Sequence, residues 1–490
     1  MKSSEQLGSG GPFCRFAQND PRGYFEQMPK GTRKVDFSFD DEDHLTHYGG
    51  VWLMQQFCDR LRLRSLLSRC VRIQQREGAY QPSELLLALL FSIIIGLRRI
   101  NKTETLRYDG ALLEMLGLAR FPDAGTFRRF LKRLPPENIR QIAQLHDSLR
   151  AWLFFLPEER HSLVFDVDSV VLVVYGHAEG AKVGYNPKKP GRRSYHPLFC
   201  FESAFQEFWH GIWRRGDAAS STGILPFLKV CLAKVPASVS CNRVRFRMDS
   251  GFFGKRVVEF LDQAHCGYVI VAKEYKNIKA AARQARFTRL KSQWEYGEFQ
   301  YQPQGWQAPH RFVVVRRPIP EDPEEAKQLT LFQDRKYSYH VFVTNLELDA
   351  WRVYLFYNGR ANIEKSNREF LYDYPLGKIP TQSWTAKVAF FQLVLLAANL
   401  VHWFKRLCLS ERYTAATVET IRTDLLVLPA KLVRTKGRRL IKLPRDYPHR
   451  EEFQRARRGI GALRLPKKFR ICPKPDRLVQ RGQAKNVKKR

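Results

Sequence analysis

Residues 163–174 read Leu-Val-Phe-Asp-Val-Asp-Ser-Val-Val-Leu-Val-Val. β-branched residues dominate this run, which is too apolar for an exposed strand, so it predicts a strand in the centre of a sheet. Side chains alternate between the two faces of a strand, and Asp166 and Asp168 therefore share one face. A carboxylate in such a strand is costly unless it is paired or bound to a metal. The alternative is a carboxylate satisfied by backbone N–H groups at the end of the strand.

A second apolar run, residues 244–251, reads Val-Arg-Phe-Arg-Met-Asp-Ser-Gly and ends just after Asp249. Residues 255–264 then have the spacing of an amphipathic helix, and residues 268–272 form another apolar strand. A strand, helix and strand in this order predict the βαβ unit of an α/β sheet. That unit places Asp249 at the carboxyl end of its strand, where such folds carry their sites.

The charge of the chain predicts a polyanionic partner. There are 83 Lys and Arg against 48 Asp and Glu, a formal net charge of +35 and a pI of about 10.0. We favour nucleic acid over an anionic membrane, because no amphipathic basic segment or lipidation signal accompanies the charge. Residues 431–490 alone hold 22 Lys and Arg and 4 Asp and Glu. We expect a folded edge with a hairpin around Gly437, followed beyond about residue 460 by a basic arm.

Other features of the sequence favour a cytoplasmic, nucleoid-associated protein without a membrane partner. The longest apolar runs, residues 85–97 and 388–401, are shorter than the roughly 20 residues that cross a bilayer. The first residues lack the apolar stretch of a secretory signal. The 9 cysteines form no Cys-x-x-Cys pair, which favours reduced thiols and disfavours a structural zinc site.

The region before the first predicted strand has helical periodicity from about residue 51. Within it, residues 121–132 predict a turn and a short helix with Thr126 near its cap. Arg128, Arg129 and Lys132 lie on one face of that helix and are candidate DNA contacts of a helix-turn-helix. An ordinary surface helix with solvated charges fits the pattern equally well.

The segment Tyr357-Asn-Gly-Arg-Ala-Asn-Ile-Glu364 places three polar residues on one side of a helix. Tyr357, Arg360 and Glu364 are spaced i, i+3 and i+7, and Asn367 and Arg368 continue the same face. Taken alone, Arg360 and Glu364 are explained by an i, i+4 ion pair that stabilises the helix by a few tenths of a kcal/mol.

The combination Tyr-x2-Arg-x3-Glu resembles the signature of the hairpin-forming, cut-and-paste DDE transposases of bacterial insertion sequences. Asp168-Ser is similar to that family's first aspartate, and Arg247-Met-Asp249-Ser-Gly-Phe is similar to its second. The resemblance runs from about residue 48 to about residue 460. It implies an α/β, RNase H-like fold: a mixed five-stranded sheet with flanking helices, a β-rich insertion before the catalytic Glu, and an all-helical N-terminal domain.

The resemblance also implies the chemistry. Asp168, Asp249 and Glu364 would be catalytic and would hold two Mg²⁺ ions, which Mn²⁺ would replace, over a phosphodiester of double-stranded DNA. Tyr357 and Arg360 would contact phosphate, and synapsis of two element ends implies a homodimer on DNA. The family signature has a lysine at position 371, where this chain has Leu, so Arg368 is the substitute cation that we predict.

Two further functions use the same residues. The chain is either an active transposase, a catalytically silent DNA-binding protein of transposase descent, or a stand-alone Mg²⁺-dependent nuclease. Asp166 also competes with Asp168 for the first catalytic position, and we prefer Asp168 for the serine that follows it. The predicted organisation is an arm at 1–47, a helical DNA-binding domain at 48–155, the first part of the core at 156–272, a β-strand insertion at 273–350, the helix of the catalytic Glu at 351–410 and a basic C-terminal region at 411–490.

Overall fold

The computed structural model describes residues 44–473 apart from 76–77, 188, 291–292, 320–336, 379–380 and 436–437. For residues 361–364, 366 and 378 it describes the backbone only. Nearly all of the predicted N-terminal arm, and the last residues of the predicted basic arm, lie outside the described chain.

The chain is helical between residues 51 and 152. The third of these helices begins at Pro82, where Gln81 and Glu84 form a capping box. Its residues Leu85–Ile94 are all buried, as their unbroken apolar run predicts. The helices are α1 Val51–Arg60, α2 Leu63–Cys70, α3 Pro82–Ile94, α4 Gly110–Leu116, α5 Ala124–Arg133 and α6 Pro136–Trp152, with a 3-10 segment at Ile100–Tyr108.

One short strand precedes these helices, the other described strands follow them, and together they form three sheets. They are β1 Leu45–Thr46, β2 Leu163–Ser169, β3 Leu172–Val173, β4 Lys182–Val183, β5 Arg193–Tyr195, β6 Leu198–Glu202, β7 Glu207–Ile212, β8 Val244–Met248, β9 Gly267–Val271, β10 Arg286–Arg289, β11 Glu295–Tyr301, β12 His310–Pro318, β13 Tyr337–Thr344, β14 Ala430–Thr435 and β15 Arg438–Lys442. The large sheet has the order β10-β11-β12-β13-β9-β8-β2-β6-β7. The chain therefore belongs to the mixed α/β class.

The remaining helices lie between and after these strands. They are α7 Ile224–Ala233, α8 Lys255–Gln263, α9 Lys276–Gln284, α10 Ala350–Asn358, α11 Ala361–Tyr372, α12 Trp384–Cys408, α13 Val418–Ile421 and α14 Arg450–Ala462. β8, α8 and β9 form the βαβ unit that the sequence predicts, because β8 and β9 pair in parallel.

The register between β2 and β8 brings their carboxyl ends together. The two strands are parallel, and Val167 is paired with Met248. The next residue of each strand is an aspartate, Asp168 in one and Asp249 in the other. Both aspartates therefore stand at the same edge of the sheet.

The β-rich insertion extends the central sheet. β13 pairs with β9 through Val271 and Phe342, and β12, β11 and β10 follow outward. The expected five-stranded sheet is thus a nine-stranded one, and the described insertion is not a separate antiparallel domain. The physical reason is that the outer edge of β9 would otherwise present unpaired backbone groups.

Helix α12 fills the core beneath the N-terminal helices. It packs on α3, α5 and α6, and also on β7 and α14. It is the one helix of the described chain with the length and apolarity to cross a membrane, but 83% of its most apolar window is buried in the protein. We therefore interpret it as a core helix.

The C-terminal region folds further than the sequence predicts. The expected hairpin is present as β14 and β15. Beyond α14, Leu463 O accepts a hydrogen bond from Arg60, Pro466 O accepts one from Trp152, and Cys472 N donates one to Ser148 Oγ. The predicted start of the basic arm near residue 460 is wrong, because residues 463–472 contain apolar groups and pack on the N-terminal helices.

Candidate active site

Asp168 is the centre of the polar cluster at the edge of the sheet. Its Oδ1 accepts a hydrogen bond from the backbone N–H of Ser169 at 2.9 Å and lies 3.0 Å from Nη2 of Arg360. Its Oδ2 accepts a hydrogen bond from Nδ2 of Asn367 at 2.7 Å. Two residues from the helical segment that carries the Tyr-x2-Arg-x3-Glu pattern therefore contact this carboxylate directly.

Asp249 caps the turn that follows β8. Its Oδ1 accepts a hydrogen bond from the backbone N–H of Gly251 at 2.9 Å. Burial, and next the negative charge of Asp168, raise the pKa of Asp249 to about 6. Arg360 acts in the opposite direction and lowers it. A cation at this edge of the sheet would relieve the repulsion between the two carboxylates.

Asp166 has a different environment from Asp168. It is fully buried, and its two oxygens accept hydrogen bonds from Nε and Nη2 of Arg247 at 2.6 and 2.7 Å. Arg247 also donates to Ser203 Oγ at 2.6 Å and to the carbonyl of Phe356 at 2.8 Å. This bidentate pair holds Asp166 inside the protein, where none of its side chain is exposed, whereas 14% of the Asp168 side chain is exposed. Asp168 is therefore the more accessible of the two carboxylates.

Arg247 also connects the sheet to the candidate site. The carbonyl that it binds, that of Phe356, lies near the end of α10, directly before Tyr357. A Cβ atom on Gly359 would lie 2.3 Å from Arg247 Nη1, so only glycine leaves room for this contact. The sequence contains the Arg247-x-Asp249 pattern, but the role of Arg247 follows only from the pairing of β2 with β8.

Arg360 stands between α10 and α11 and is only 6% exposed. Burial alone would lower the pKa of Arg360, but the nearby carboxylates, above all Asp168, outweigh that effect and raise it. Tyr357, half-buried, packs on Phe342 with 4.8 Å between the ring centroids. The structure thus brings Arg360 to the two aspartates and sets Tyr357 against the sheet.

Helix α11 carries the remaining predicted site residues. Position 364 lies one turn before Asn367 in this helix, and the side chain of Glu364 is outside the described part of the structure. Arg368 is exposed, and Leu371 is half-buried against the core. Asn367 is 8% exposed, and its Oδ1 has no hydrogen-bond partner among the described residues. The sequence pattern placed Asn367 on one face of a helix but gave no contact for it.

The residues at this edge are suitable ligands for a hard divalent cation. Carboxylate and amide oxygens are the ligands that Mg²⁺ uses, and Asp168, Asp249 and the unpartnered Oδ1 of Asn367 supply them. Among the described side chains, His, Cys, Asp and Glu form no group of three able to hold a metal. The third acidic ligand predicted from the sequence, Glu364, stays a prediction.

The basic residues of the predicted helix-turn-helix lie elsewhere. Helix α5 packs mainly on the 3-10 segment, α12 and α3, not on the strands that carry the aspartates. Arg129 and Lys132 are exposed, and Arg128 donates to Asn101. Asp123 caps α5, and its Oδ1 accepts the Thr126 N–H at 2.7 Å, so Thr126 lies near the cap as the sequence predicts.

Comparison with known proteins gives the family. Residues 27–465 match the family described as Transposase DDE domain group 1, and this match spans most of the chain. This protein belongs to that family, whose members are DNA transposases that break and join phosphodiester bonds and generally use divalent metal ions.

The other comparisons add less. A cryo-EM structure of a piggyBac transposase synaptic complex with hairpin DNA is 12% identical, with a TM-score of 0.42, over 73% of this chain and 74% of that one. No curated protein sequence matches this chain.

Proposed function

We propose that this protein is the transposase of a bacterial insertion sequence. It binds the ends of the element as double-stranded DNA, cleaves them in the presence of Mg²⁺, and joins the 3′ ends to target DNA, with a hairpin as the intermediate. The observation that carries this proposal is the meeting of Asp168, Asp249 and Arg360 at one edge of the sheet in a strongly basic protein.

The topology supports an RNase H-like core within the larger sheet. β2, β6 and β7 are consecutive and antiparallel, and β8 and β9 join the other side of β2 in parallel. This order places the first strand of the core in the middle. The first aspartate then lies on the central strand, and the second lies on the strand beside it.

Asp168, Asp249 and Glu364 are the proposed catalytic residues and ligands of Mg²⁺. The bound ions would polarise the phosphodiester and stabilise the charge on the attacking and leaving oxygens. Asp168 and Asp249 stand on strands whose pairing fixes their positions, and Asn367 orients Asp168 through its 2.7 Å hydrogen bond. Position 364 lies on α11, the helix that Asn367 joins to Asp168, and we assign the third ligand to Glu364.

Arg360 has two partners in this proposal. Without DNA its guanidinium neutralises Asp168, and with DNA it turns to the phosphate oxygens, for which its planar donors are suited. Tyr357 adds a phosphate contact from the end of α10. Arg368 is the exposed cation on α11 that we assign to the terminal phosphate in place of the missing lysine at position 371.

Basic residues outside the active site would bind DNA without taking part in cleavage or joining. Arg128, Arg129 and Lys132 on α5 are the proposed reading face of the helical region at 48–155, and the basic C-terminal region adds phosphate contacts. Cleavage of two ends in one complex requires at least a homodimer on DNA. The place of action is the cytoplasm, at the nucleoid.

The test is a strand-cleavage assay on the element's own inverted-repeat ends with Mg²⁺. Wild type should nick and join these ends, and Asp168→Ala, Asp249→Ala and Glu364→Ala should bind DNA but not cut it. Glu298→Ala, which removes an exposed carboxylate from β11, is the matched control and should cut normally. Binding by wild type without cleavage would establish the silent DNA-binding protein, and cleavage without joining would establish the nuclease.

A further inference from the structure

A small sheet projects from the chain directly after Asp168. It consists of β3, β5 and β4, in that order, and its strands come between β2 and β6 in the sequence. Between residues 180 and 197 the sequence contains five Lys and Arg and no acidic residue. We refer to the exposed residues of this sheet and its loops, Tyr175, Lys182, Tyr185, Lys189, Arg192 and Arg193, as the tyrosine–arginine surface.

Two tyrosines of this surface are unusually exposed. Tyr185 is 80% exposed and Tyr175 is 70% exposed. Lys189 Nζ donates to the hydroxyl of Tyr175 at 2.7 Å and lies 5.4 Å from its ring centroid, so a cation and an aromatic ring are held together. Large aromatic rings next to cations are the side chains that proteins use to bind single-stranded nucleic acid.

The small sheet packs on the protein core on one side, although the residues of the tyrosine–arginine surface are exposed. Tyr195 at the end of β5 is buried, and its hydroxyl accepts a hydrogen bond from Lys387 of α12 at 2.7 Å. A Cβ atom on Gly184 would lie 1.9 Å from the carbonyl of Gly216, and one on Gly216 would lie 2.2 Å from that of Ser194. These close backbone approaches fix the sheet on the core, so the exposed residues have a defined position.

The chain length limits how far the tyrosine–arginine surface can lie from Asp168. Val173 is five residues beyond Asp168, a span of at most about 18 Å. Val173 is paired with Ser194, and Ser194 is paired with Lys182 on its other side. Lys182 is therefore two strand spacings from Val173, which adds roughly 10 Å. A duplex rises about 3.4 Å per base pair, so this surface is within roughly eight base pairs of a phosphodiester held at Asp168.

We propose that the tyrosine–arginine surface binds a DNA strand within roughly eight base pairs of the scissile phosphodiester. Lys182, Arg192 and Arg193 contact its phosphates, and Tyr185 stacks on a base that has left the duplex. This inference depends on the proposed function, because that function places the scissile bond at Asp168. It deepens the function by assigning a contact for unpaired DNA on the same side of the complex as the cut, within roughly eight base pairs of it.

The experiment measures DNA binding by the full chain in EDTA, where no cleavage occurs. The paired probe is a 30-base-pair duplex of random sequence. The forked probe is the same duplex with six unpaired nucleotides at one end. Tyr185→Ala should bind the forked probe about five- to a hundredfold more weakly, the value of one stacked base, and the paired probe normally. Tyr185→Phe keeps the ring and should bind both probes as wild type does.

The arginines are tested by the salt dependence of binding. Arg192→Ala/Arg193→Ala should reduce the slope of log K against log salt by about 2, since each phosphate contact contributes roughly 0.9. Arg243→Ala/Arg245→Ala removes two exposed cations at the opposite end of β8 and is the matched control, with a change in slope well below that value.

The outcomes separate this inference from the proposed function. If wild type cleaves element ends but the Tyr185 and arginine variants bind both probes like wild type, the surface assignment is wrong and the function stands. If the variants lose binding as expected but wild type never cleaves, the surface binds DNA and the catalytic proposal fails.

Discussion

Nη2 of Arg360 lies 3.0 Å from Oδ1 of Asp168, which joins the start of α11 to the end of β2. The pair brings together residues 192 positions apart in the sequence and places a cation beside two carboxylates. A divalent metal ion bound by Asp168 would compete with Arg360 for this oxygen.

Replacing Arg360 should therefore make the protein depend on metal for stability. Without Arg360 the charges of Asp168 and Asp249 are uncompensated, so Arg360→Ala should melt at a lower temperature than wild type in EDTA. Mg²⁺ should restore more of that loss in the variant than it adds to wild type. Differential scanning fluorimetry at a series of Mg²⁺ concentrations measures this, and equal Mg²⁺ shifts in both proteins would contradict it. Cleavage by the variant should fall about a hundredfold or more.

Alanine variants of Asp166 and Asp168 should lose different properties. Asp166→Ala leaves Arg247 buried without its carboxylate, which should lower the free energy of unfolding by about 3–5 kcal/mol. Asp168→Ala leaves Arg360 near Asp249, so it should lose less stability than Asp166→Ala, and it should lose cleavage. Urea unfolding and the cleavage assay distinguish the two, and Asp166→Leu/Arg247→Met should recover much of the lost stability. A stable Asp166→Ala protein that cannot cleave would reverse the assignment.

Asp249 should reduce stability at neutral pH in the absence of metal. Its pKa is raised to about 6 from 3.8, so the folded state holds its proton more tightly, and stability falls as the pH rises from about 4 to about 6. The loss is at most about 3 kcal/mol. Asp249→Asn cannot ionise, so in EDTA it should be more stable than wild type at pH 8 and equally stable at pH 4. Unfolding curves of both proteins at pH 4 and pH 8 test this prediction. The same difference in stability between variant and wild type at the two pH values would refute it.

Asn367 should affect metal binding more than folding. Asn367→Leu keeps the volume but removes the hydrogen bond to Asp168 and the unpartnered Oδ1. The Mg²⁺ concentration for half-maximal cleavage should rise about 10- to 100-fold, as for other residues that orient a metal ligand. Asn367→Asp, which keeps an oxygen, should need less added Mg²⁺ than the leucine variant. An unchanged Mg²⁺ requirement in both variants would show that Asn367 has no such role.

Two truncations should distinguish the contribution of the C-terminal region to stability from its contribution to DNA binding. Deleting 474–490 removes seven Lys and Arg and one Asp and should reduce the salt dependence of DNA binding without changing the melting temperature. Deleting 461–490 also removes the contacts of Leu463, Pro466 and Cys472 with the N-terminal helices and should lower the melting temperature. Equal melting temperatures for the two would contradict this difference.

The sequence predicted where Asp168 and Asp249 lie in the sheet because the relevant signals are local. The apolar run around Asp168 and the strand, helix and strand around Asp249 each specify their own elements. The meeting of the two aspartates follows once the strands are parallel neighbours. The sequence did not predict how β13 adds to β9, because a pairing between strands so far apart leaves no periodic signal.

The roles of Arg247 and Asn367 were also hidden. Arg247 occupies an ordinary position on an alternating strand, and only the register of β2 with β8 shows that it pairs with Asp166. Asn367 continues a helix face whose target, Asp168, is known only from the folded chain. The packing of residues 463–472 was missed because a high density of cations concealed a few apolar contacts.

The packing of α3 against α12 has a consequence for synthesis of the protein. During translation α3 leaves the ribosome about 290 residues before α12 begins. At roughly 5–20 residues per second, its apolar surface waits about 15 to 60 seconds for its partner. We expect the nascent chain to need a chaperone over that interval, and a copy that terminates early to aggregate instead of competing for DNA.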